Sequence, residues 1–190
     1  SAIPKPSNDL YFKVSEVRKA SKELALATNQ QRRDALFVMA DFLNSRSLEI
    51  VEANRDDLSK AKVEGLNQSL LARLKLDEAK LQGAIDGLRQ VAQLPDPIGL
   101  CQLNRELDSG LILKRITVPL GVLGVIFEAR PDAAIQIASL AIRSGNAALL
   151  KGGSEAVLTN EIIIKTLQEG LSHTDISSES LCLLTSRRES

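Results

Sequence analysis

From Ser15 to about Leu94 the apolar residues recur at helical spacing rather than alternating, which predicts a series of amphipathic helices joined by short polar turns. Val17, Ala20, Leu24 and Ala27 share one face, and Leu36, Met39, Ala40 and Leu43 share a second. Leu81, Ala84, Ile85, Leu88, Val91 and Ala92 make a third. Each stripe needs a core to face. Asn29 is the expected N-cap of the second helix and Asp77 of the third, because short polar side chains accept from the free N–H groups of the first turn. The "LPDP" at Leu94 to Pro97 ends the helical block, since Pro removes a donor and restricts the residue before it. Arg32, Arg33 and Arg55 stand among acids and are expected on solvated helix faces.

After Pro97 the period changes. "SGLILKRITVPLG" alternates apolar and basic residues from Leu111 to Val118, which predicts a half-exposed, hairpin-like strand. Val122 to Phe127 is a continuous apolar run, the pattern of a parallel strand covered on both faces. Ala133, Ile137, Leu140 and Ala141 return to helical spacing, with Pro131 in the first turn and Gly145 at the stop. Ala147 to Leu150 is a second buried strand, Ser154 is the expected cap of a helix running to Gly170, and Leu181 to Leu184 is a third strand. The whole reads as an α/β fold: residues 1–97 form a helical segment, 98–121 a linker and hairpin-like strand, and 122–190 the start of a Rossmann-like parallel β-α-β-α-β unit for a dinucleotide.

That topology answers why charge interrupts the apolar runs. Parallel strands joined by right-handed crossovers bring their carboxyl ends to one edge, where ligands bind. Glu128 to Asp132, Lys151 to Glu155 and Thr185 to Arg188 each follow a strand and are expected to converge there. Helix N-termini at that edge offer N–H groups and positive dipole ends to phosphate. A solvent-facing strand end also carries such residues, "KGG" is no Walker loop, and no G-x-G-x-x-G follows the first strand, so the glycines alone do not decide the matter.

Composition narrows the classes further. A chain of 190 residues with 44% apolar content has material for a sizeable core. Twenty-four basic side chains balance twenty-four acidic ones, and aromatics are only 3% with no Trp, so neither a nucleic-acid surface nor a membrane belt is expected. No apolar run is long enough to span a bilayer, and the first residues lack the pattern of a signal peptide. Cys101 and Cys182 have no metal or redox spacing and suit a reducing, cytoplasmic location. Cys182 lies in an apolar strand, where desolvation raises a thiol pKa. His173, the single histidine, sits in a polar loop; no metal site is expected.

"VPLGVLGVIFEARPD" followed by "SGNAALLKGGSEA" resembles the γ-glutamyl phosphate reductase family, within the aldehyde dehydrogenase superfamily, and equally the reductase half of the bifunctional pyrroline-5-carboxylate synthases. "VRKASKELALATNQQRRDAL" and "NQSLLARLKLDEAKL" are in the style of the same family's N-terminal half. The resemblance implies NADPH-dependent reduction of γ-glutamyl phosphate, a small-molecule acyl phosphate, to glutamate 5-semialdehyde with release of phosphate, a step of proline biosynthesis. It implies a homo-oligomer and, through the synthases, a glutamate kinase as a partner. Carried over by motif, Phe127, Glu128, Ala129, Arg130 and Pro131 would line the cofactor crevice. Lys151 would meet the adenosine ribose or its extra phosphate, and Gly152, Gly153, Ser154 and Glu155 would border the same pocket. Arg130 is also placed to face the acidic substrate.

The departures matter as well. Ala129 is nearest to the position where the superfamily carries an oxyanion-stabilising Asn, so that role does not transfer. The family's catalytic cysteine segment has no counterpart here, and neither Cys101 nor Cys182 occupies its context; both are expected to be structural. The chain is therefore expected to represent an N-terminal portion that is inactive by itself, with an exposed sheet edge prone to self-association. Two other classes stand beside this one: a non-catalytic nucleotide-binding or interaction module, and an aldehyde dehydrogenase relative with another acyl substrate.

Overall fold

The computed structural model describes residues 8–116 and 118–184, and at 107, 108 and 115 the backbone only. Five helices come first: α1 (Asn8–Leu26), α2 (Asn29–Ser45), α3 (Ser47–Val63), α4 (Gln68–Leu74) and α5 (Glu78–Ala92). An antiparallel hairpin follows, β1 (Cys101–Asp108) with β2 (Leu111–Ile116). Then β3 (Val122–Ile126), α6 (Pro131–Arg143), β4 (Ala147–Lys151), α7 (Val157–Ser172) and β5 (Leu181–Leu184) build a parallel sheet in the order β3-β4-β5. The segment Thr185 to Arg188, expected at the end of the third strand, lies outside the described residues.

The helical stripes meet the core as their spacing requires. Leu36, Met39, Ala40 and Leu43 of α2 are fully buried, as are Leu81, Ile85 and Ala92 of α5. Removing a Leu or Met of this set from water is worth about 1.5–3 kcal/mol relative to exposure. α2 packs on α5 and α7, α5 on α6, and α3 on α7, while α1 touches all three parallel strands. One apolar cluster thus runs from the helical block into the sheet.

Asp77 caps α5 as expected, accepting from Lys80 N at 2.9 Å. The cap of α2 is Thr28 rather than Asn29: its hydroxyl accepts from Gln31 N while the Gln31 side chain accepts from Thr28 N, a reciprocal capping box. Asn29 begins the helix proper, and its Oδ1 instead accepts from Arg143 at 2.6 Å. The solvated placement of Arg32 is also corrected. Arg33 and Arg55 are exposed, but Arg32 is 1% exposed, donating to Arg143 O at 2.5 Å and to Asp96 Oδ1 at 2.8 Å. Arg143 in turn donates to Leu94 O. Two buried guanidinium groups therefore fasten the end of α6 to α2 and to the loop after α5. Burial, followed by the neighbouring Arg32 charge, pulls the Arg143 pKa below its ordinary value.

Gly145 stops α6 as expected. At φ +76° it makes a left-handed turn in which Gly145 N bonds Ile142 O at 3.1 Å and Asn146 N bonds Ala141 O at 2.9 Å. Ile98 and Pro119 press so closely on this position that a Cβ would lie 2.6 Å from Ile98 Cδ1.

Two strand expectations need correction. The run from Val122 is not covered on both faces among the described residues: Ile126 is 79% exposed because β3 lies at an edge, whereas Ala147, Ala148 and Leu150 of the central β4 are fully buried. The hairpin is not half-exposed either. Leu111 and Ile112 point to opposite faces and are 58% and 57% exposed, so β1 and β2 stand clear of the core. β1 itself was not anticipated within the linker, because its polar wording, "CQLNREL", hides an alternation that pairing alone reveals.

Candidate cofactor crevice

The register places Ile126 opposite Lys151, so the turn leaving β3 and the turn leaving β4 start side by side. Phe127 N extends the pairing by one bond to Lys151 O at 3.0 Å. Beyond it Ala129 turns back at φ +44°, buried to 5% exposure, and its N–H donates to Glu155 Oε1 at 2.6 Å. That conformation costs an L-residue about 1–2 kcal/mol, so an acceptor that holds it is functionally informative. Phe127 to Pro131 and Lys151 to Glu155 are thereby one unit. Within it Glu128, Arg130, Lys151 and Ser154 are exposed, while Gly152 and Pro131 are buried. Pro131 is the first residue of α6, as expected, and Arg130 is its N-cap residue without a side-chain cap bond.

Ser154 does not cap α7. Residues Ser154–Ala156 form a short 3-10 turn and α7 begins at Val157. Its start is capped from another helix: Asp57 of α3, 4% exposed, accepts from Thr159 N at 2.8 Å and Thr159 Oγ1 at 2.6 Å through Oδ2, and from Leu158 N at 3.3 Å through Oδ1. Asn54, one turn earlier on α3, ties the same region to the α4–α5 link, donating to Leu74 O at 2.9 Å and accepting from Leu76 N at 2.7 Å. The N–H groups expected to be open to phosphate at α7 are therefore engaged by a carboxylate, which would repel one.

Beside these turns lies a slot of about 10 Å³, room for a single water, lined by Gly152, Gly153, Val157, Asn160, Glu161, Leu183 and Leu184. Asn160 is 2% exposed, and its Oδ1 has no hydrogen-bond partner. Such an orphan is uncommon and points to an absent donor. Gly152 permits the arrangement, because a Cβ there would stand 2.1 Å from Asn160 Nδ2 and 3.4 Å from Phe127 Cζ. Motif reading missed Asn160, although its spacing with Ile163, Ile164, Leu167 and Leu171 puts a polar amide on an otherwise apolar helix face. Asp57 left no comparable signal.

Both thiols lie elsewhere. Cys101 is exposed on the hairpin, with its sulfur 3.3 Å from Leu103 O. Burial pushes the Cys182 thiol in β5 above its usual pKa, which lowers its reactivity. His173 is exposed at the end of α7, its ring 5.1 Å from that of Phe42. Among the described residues no group of three or more His, Cys, Asp or Glu could hold a metal ion, and no helix is long and apolar enough to cross a membrane.

No family model matches the chain. Individual proteins do. A γ-glutamyl phosphate reductase of Prochlorococcus marinus (strain MIT 9303) is 63% identical over 188 residues, 99% of this chain and 43% of that protein. The likeness is to the γ-glutamyl phosphate reductases. The crystal structure of such a reductase from Thermotoga maritima superposes with a TM-score of 0.90 at 34% identity, over 95% of this chain and 44% of that one. The chain thus spans less than half the length of the reductases it matches. An acetylating aldehyde dehydrogenase from Geobacillus thermoglucosidasius gives a TM-score of 0.72 at 14% identity, over 95% of this chain and 37% of that one. The fold is aldehyde dehydrogenase-like, a helical block followed by a parallel sheet.

Proposed function

We propose that this chain supplies the cofactor-binding part of a γ-glutamyl phosphate reductase, an enzyme reducing γ-glutamyl phosphate to glutamate 5-semialdehyde with NADPH and releasing phosphate, in the cytoplasm. The observation that carries this reading is the Glu155-held turn beside the Asn160 slot, in a chain 63% identical to such a reductase. The orphaned Asn160 amide oxygen supports a ligand donor resting at the mouth of the water-sized slot. Phe127, Glu128, Ala129, Arg130 and Pro131 would form one lip. Lys151, Gly152, Gly153, Ser154 and Glu155 would form the other, with Lys151 meeting the ribose or its extra phosphate. Bound NADPH would supply the hydride. The residues of this chain orient it: Glu155 fixes the turn and Asn160 accepts a donor hydrogen. Arg130, exposed at the start of α6, can instead meet the acidic substrate.

We assign residues 1–97 to the helical part, 98–121 to the linker and hairpin, and 122–190 to the dinucleotide-binding unit. The exposed apolar residues of the hairpin support a homo-oligomer, and a glutamate kinase remains the partner implied by the bifunctional synthases. Neither thiol adjoins the slot, so we expect the chain alone to bind cofactor without turnover, a behaviour it would share with a non-catalytic nucleotide-binding module.

Titration with NADPH and NADH, with Lys151→Ala in parallel, tests the reading. Saturable binding that favours NADPH and weakens about tenfold in the variant is expected, since a lost charge-assisted bond is worth about 1.4 kcal/mol or more. Equal binding of both cofactors by both proteins would remove Lys151 from the site. Turnover of glutamate 5-semialdehyde with NADP by the chain alone would overturn its predicted inactivity.

A further inference from the structure

The hairpin of β1 and β2 stands clear of the core, and the chain enters and leaves it through two short legs, residues 93–100 and 118–121. Both legs converge on the turn of Ser144, Gly145 and Asn146 between α6 and β4. Ile98 of the incoming leg and Pro119 of the outgoing leg meet over Gly145, where a Cβ would lie 2.6 Å from Ile98 Cδ1 and 3.0 Å from Pro119 Cγ. Asn146, 6% exposed, accepts from Gly121 N at 2.9 Å through Oδ1, and Ala147 N donates to Gly121 O at 2.9 Å. The Asn146 amide is itself fixed, since its Nδ2 donates to Ser144 Oγ at 2.9 Å. On the incoming side Ile98 N donates to Asp96 Oδ1 at 3.0 Å, and the buried Arg32 holds that carboxylate.

A glycine with no room for a methyl and a buried amide committed to one backbone N–H are strong constraints at the foot of an element that lies outside the core. The lever geometry of the hairpin gives them a use. Strands of 8 and 6 residues rise about 3.3 Å per residue, so a tilt of about 10° at the foot moves the tip by about 4 Å. Close packing is lost over far smaller displacements. The foot therefore decides where the exposed Leu111, Ile112 and Leu113 are presented.

A second copy of this chain suits that surface. Arg105 and Lys114 stand on the hairpin with Glu106, so each copy offers both signs to the other, and a formal net charge of zero sets up no mutual repulsion. Among the described residues neither hairpin strand has a further strand beside it, which leaves an edge for pairing.

We propose that the turn between α6 and β4 is the seat that sets the attitude of the hairpin, with Gly145 and Asn146 as positioning residues, and that a second copy recognises the hairpin only in that attitude. Recognition by a second copy rests on the homo-oligomer reading above; the seat itself does not.

The test measures attitude and association separately. Residual dipolar couplings of the backbone amides report the orientation of β1 and β2 relative to β3 and β4, and sedimentation equilibrium reports self-association. In the parent both sheets are expected to fit one alignment. Asn146→Ala leaves Gly121 N without its acceptor; it is expected to shrink the hairpin couplings while those of β3 and β4 stay as they are, and to weaken association about tenfold. Asn146→Asp keeps the acceptor and is expected to remain within about twofold of the parent. Gly145→Ala gives an independent reading, because its methyl must displace Ile98 and Pro119: the hairpin is expected to tilt to a new alignment and association to weaken again. Leu111→Lys is expected to weaken association with the couplings unchanged, which separates lost contact from lost attitude. Hairpin couplings that keep the parent alignment in both Asn146→Ala and Gly145→Ala overturn the seat. Altered couplings with unchanged association, or association indifferent to Leu111→Lys, overturn recognition through the hairpin. A monomeric parent whose two sheets share one alignment sinks the homo-oligomer reading and the recognition that rests on it, and supports the seat.

Discussion

α6 and α7 leave the same edge of the same sheet, yet they are anchored at opposite ends. α7 is held at its start, where the buried Asp57 carboxylate occupies the Leu158 and Thr159 N–H groups. α6 has no side-chain cap at its start and is held at its finish, where Arg143 and Arg32 reach Asn29, Leu94 and Asp96. A cation in the last turn also complements the helix dipole. The difference teaches where a ligand can act. A helix start already filled by a carboxylate is closed to phosphate, whereas one fastened at its far end leaves its first residues beside the crevice without a side-chain cap.

Arg32→Met attacks the α6 anchor and is expected to have the largest effect. It leaves Asp96, 31% exposed, without its guanidinium and the buried Arg143 O without a donor, for an expected cost of about 3 kcal/mol. Urea unfolding reads this directly; a loss no larger than that of a surface Arg33→Met control would mean that the anchor contributes little. Asp57→Asn attacks the α7 anchor. It keeps the size and one acceptor but loses charge-assisted bonds, for an expected loss of about 2 kcal/mol. Hydrogen exchange sharpens the contrast: the Leu158 and Thr159 amides should open in Asp57→Asn and stay protected relative to global unfolding in Arg32→Met. Unchanged protection in Asp57→Asn would show that α7 is not held from α3.

The α6 anchor also carries a pH signature. Burial alone would raise the Asp96 pKa, but the bond from Ile98 N and the Arg32 guanidinium outweigh it, so the carboxyl is held below its usual value. A depressed folded pKa contributes stability above the unfolded value, about 3.9, and loses it as pH falls through that value toward the folded one. Thermal unfolding followed from neutrality into that window should therefore fall less steeply for Asp96→Asn than for the parent. Parallel acid limbs would show that Asp96 titrates alike in both states.

Much of this arrangement was legible in the sequence, for reasons specific to each part. The stripes of α2 and α5 showed because helical spacing and burial agree residue by residue, and Pro131 and Gly145 marked the ends of α6 through backbone chemistry that needs no tertiary context. The Lys151 to Glu155 turn was found by motif. Arg32 was misread because a buried guanidinium and a solvated one look the same until Asp96 and the end of α6 are brought to it. Asp57 was missed because its partners are more than a hundred residues away. Thr28 was passed over for Asn29 although Thr28 and Gln31 spell a capping box, a signal that was present. The exposed edge strand followed from strand order, which apolar content does not encode.

The smallest expected change in stability falls on the joint between the two turns. Glu155→Ala removes the acceptor for Ala129 N, and one half-buried hydrogen bond is worth about 0.5–1.5 kcal/mol net, so global unfolding should move little. The consequence is local. With no acceptor, the left-handed Ala129 has no compensation for its strain and the lip carrying Phe127 to Pro131 relaxes toward ordinary backbone, which should weaken NADPH about tenfold. Glu155→Gln keeps an amide oxygen in the same place and should stay within about twofold of the parent. Calorimetric titration of the three proteins separates charge from geometry: equal weakening by Ala and Gln would make Glu155 a charge acting on the cofactor rather than the acceptor that holds the turn. Because α7 is fixed by Asp57, neither substitution should alter the exchange of Leu158 and Thr159. If Glu155→Ala does open those amides, the two helix starts are mechanically one, and the contrast between the helix fastened at its start and the helix fastened at its end no longer holds.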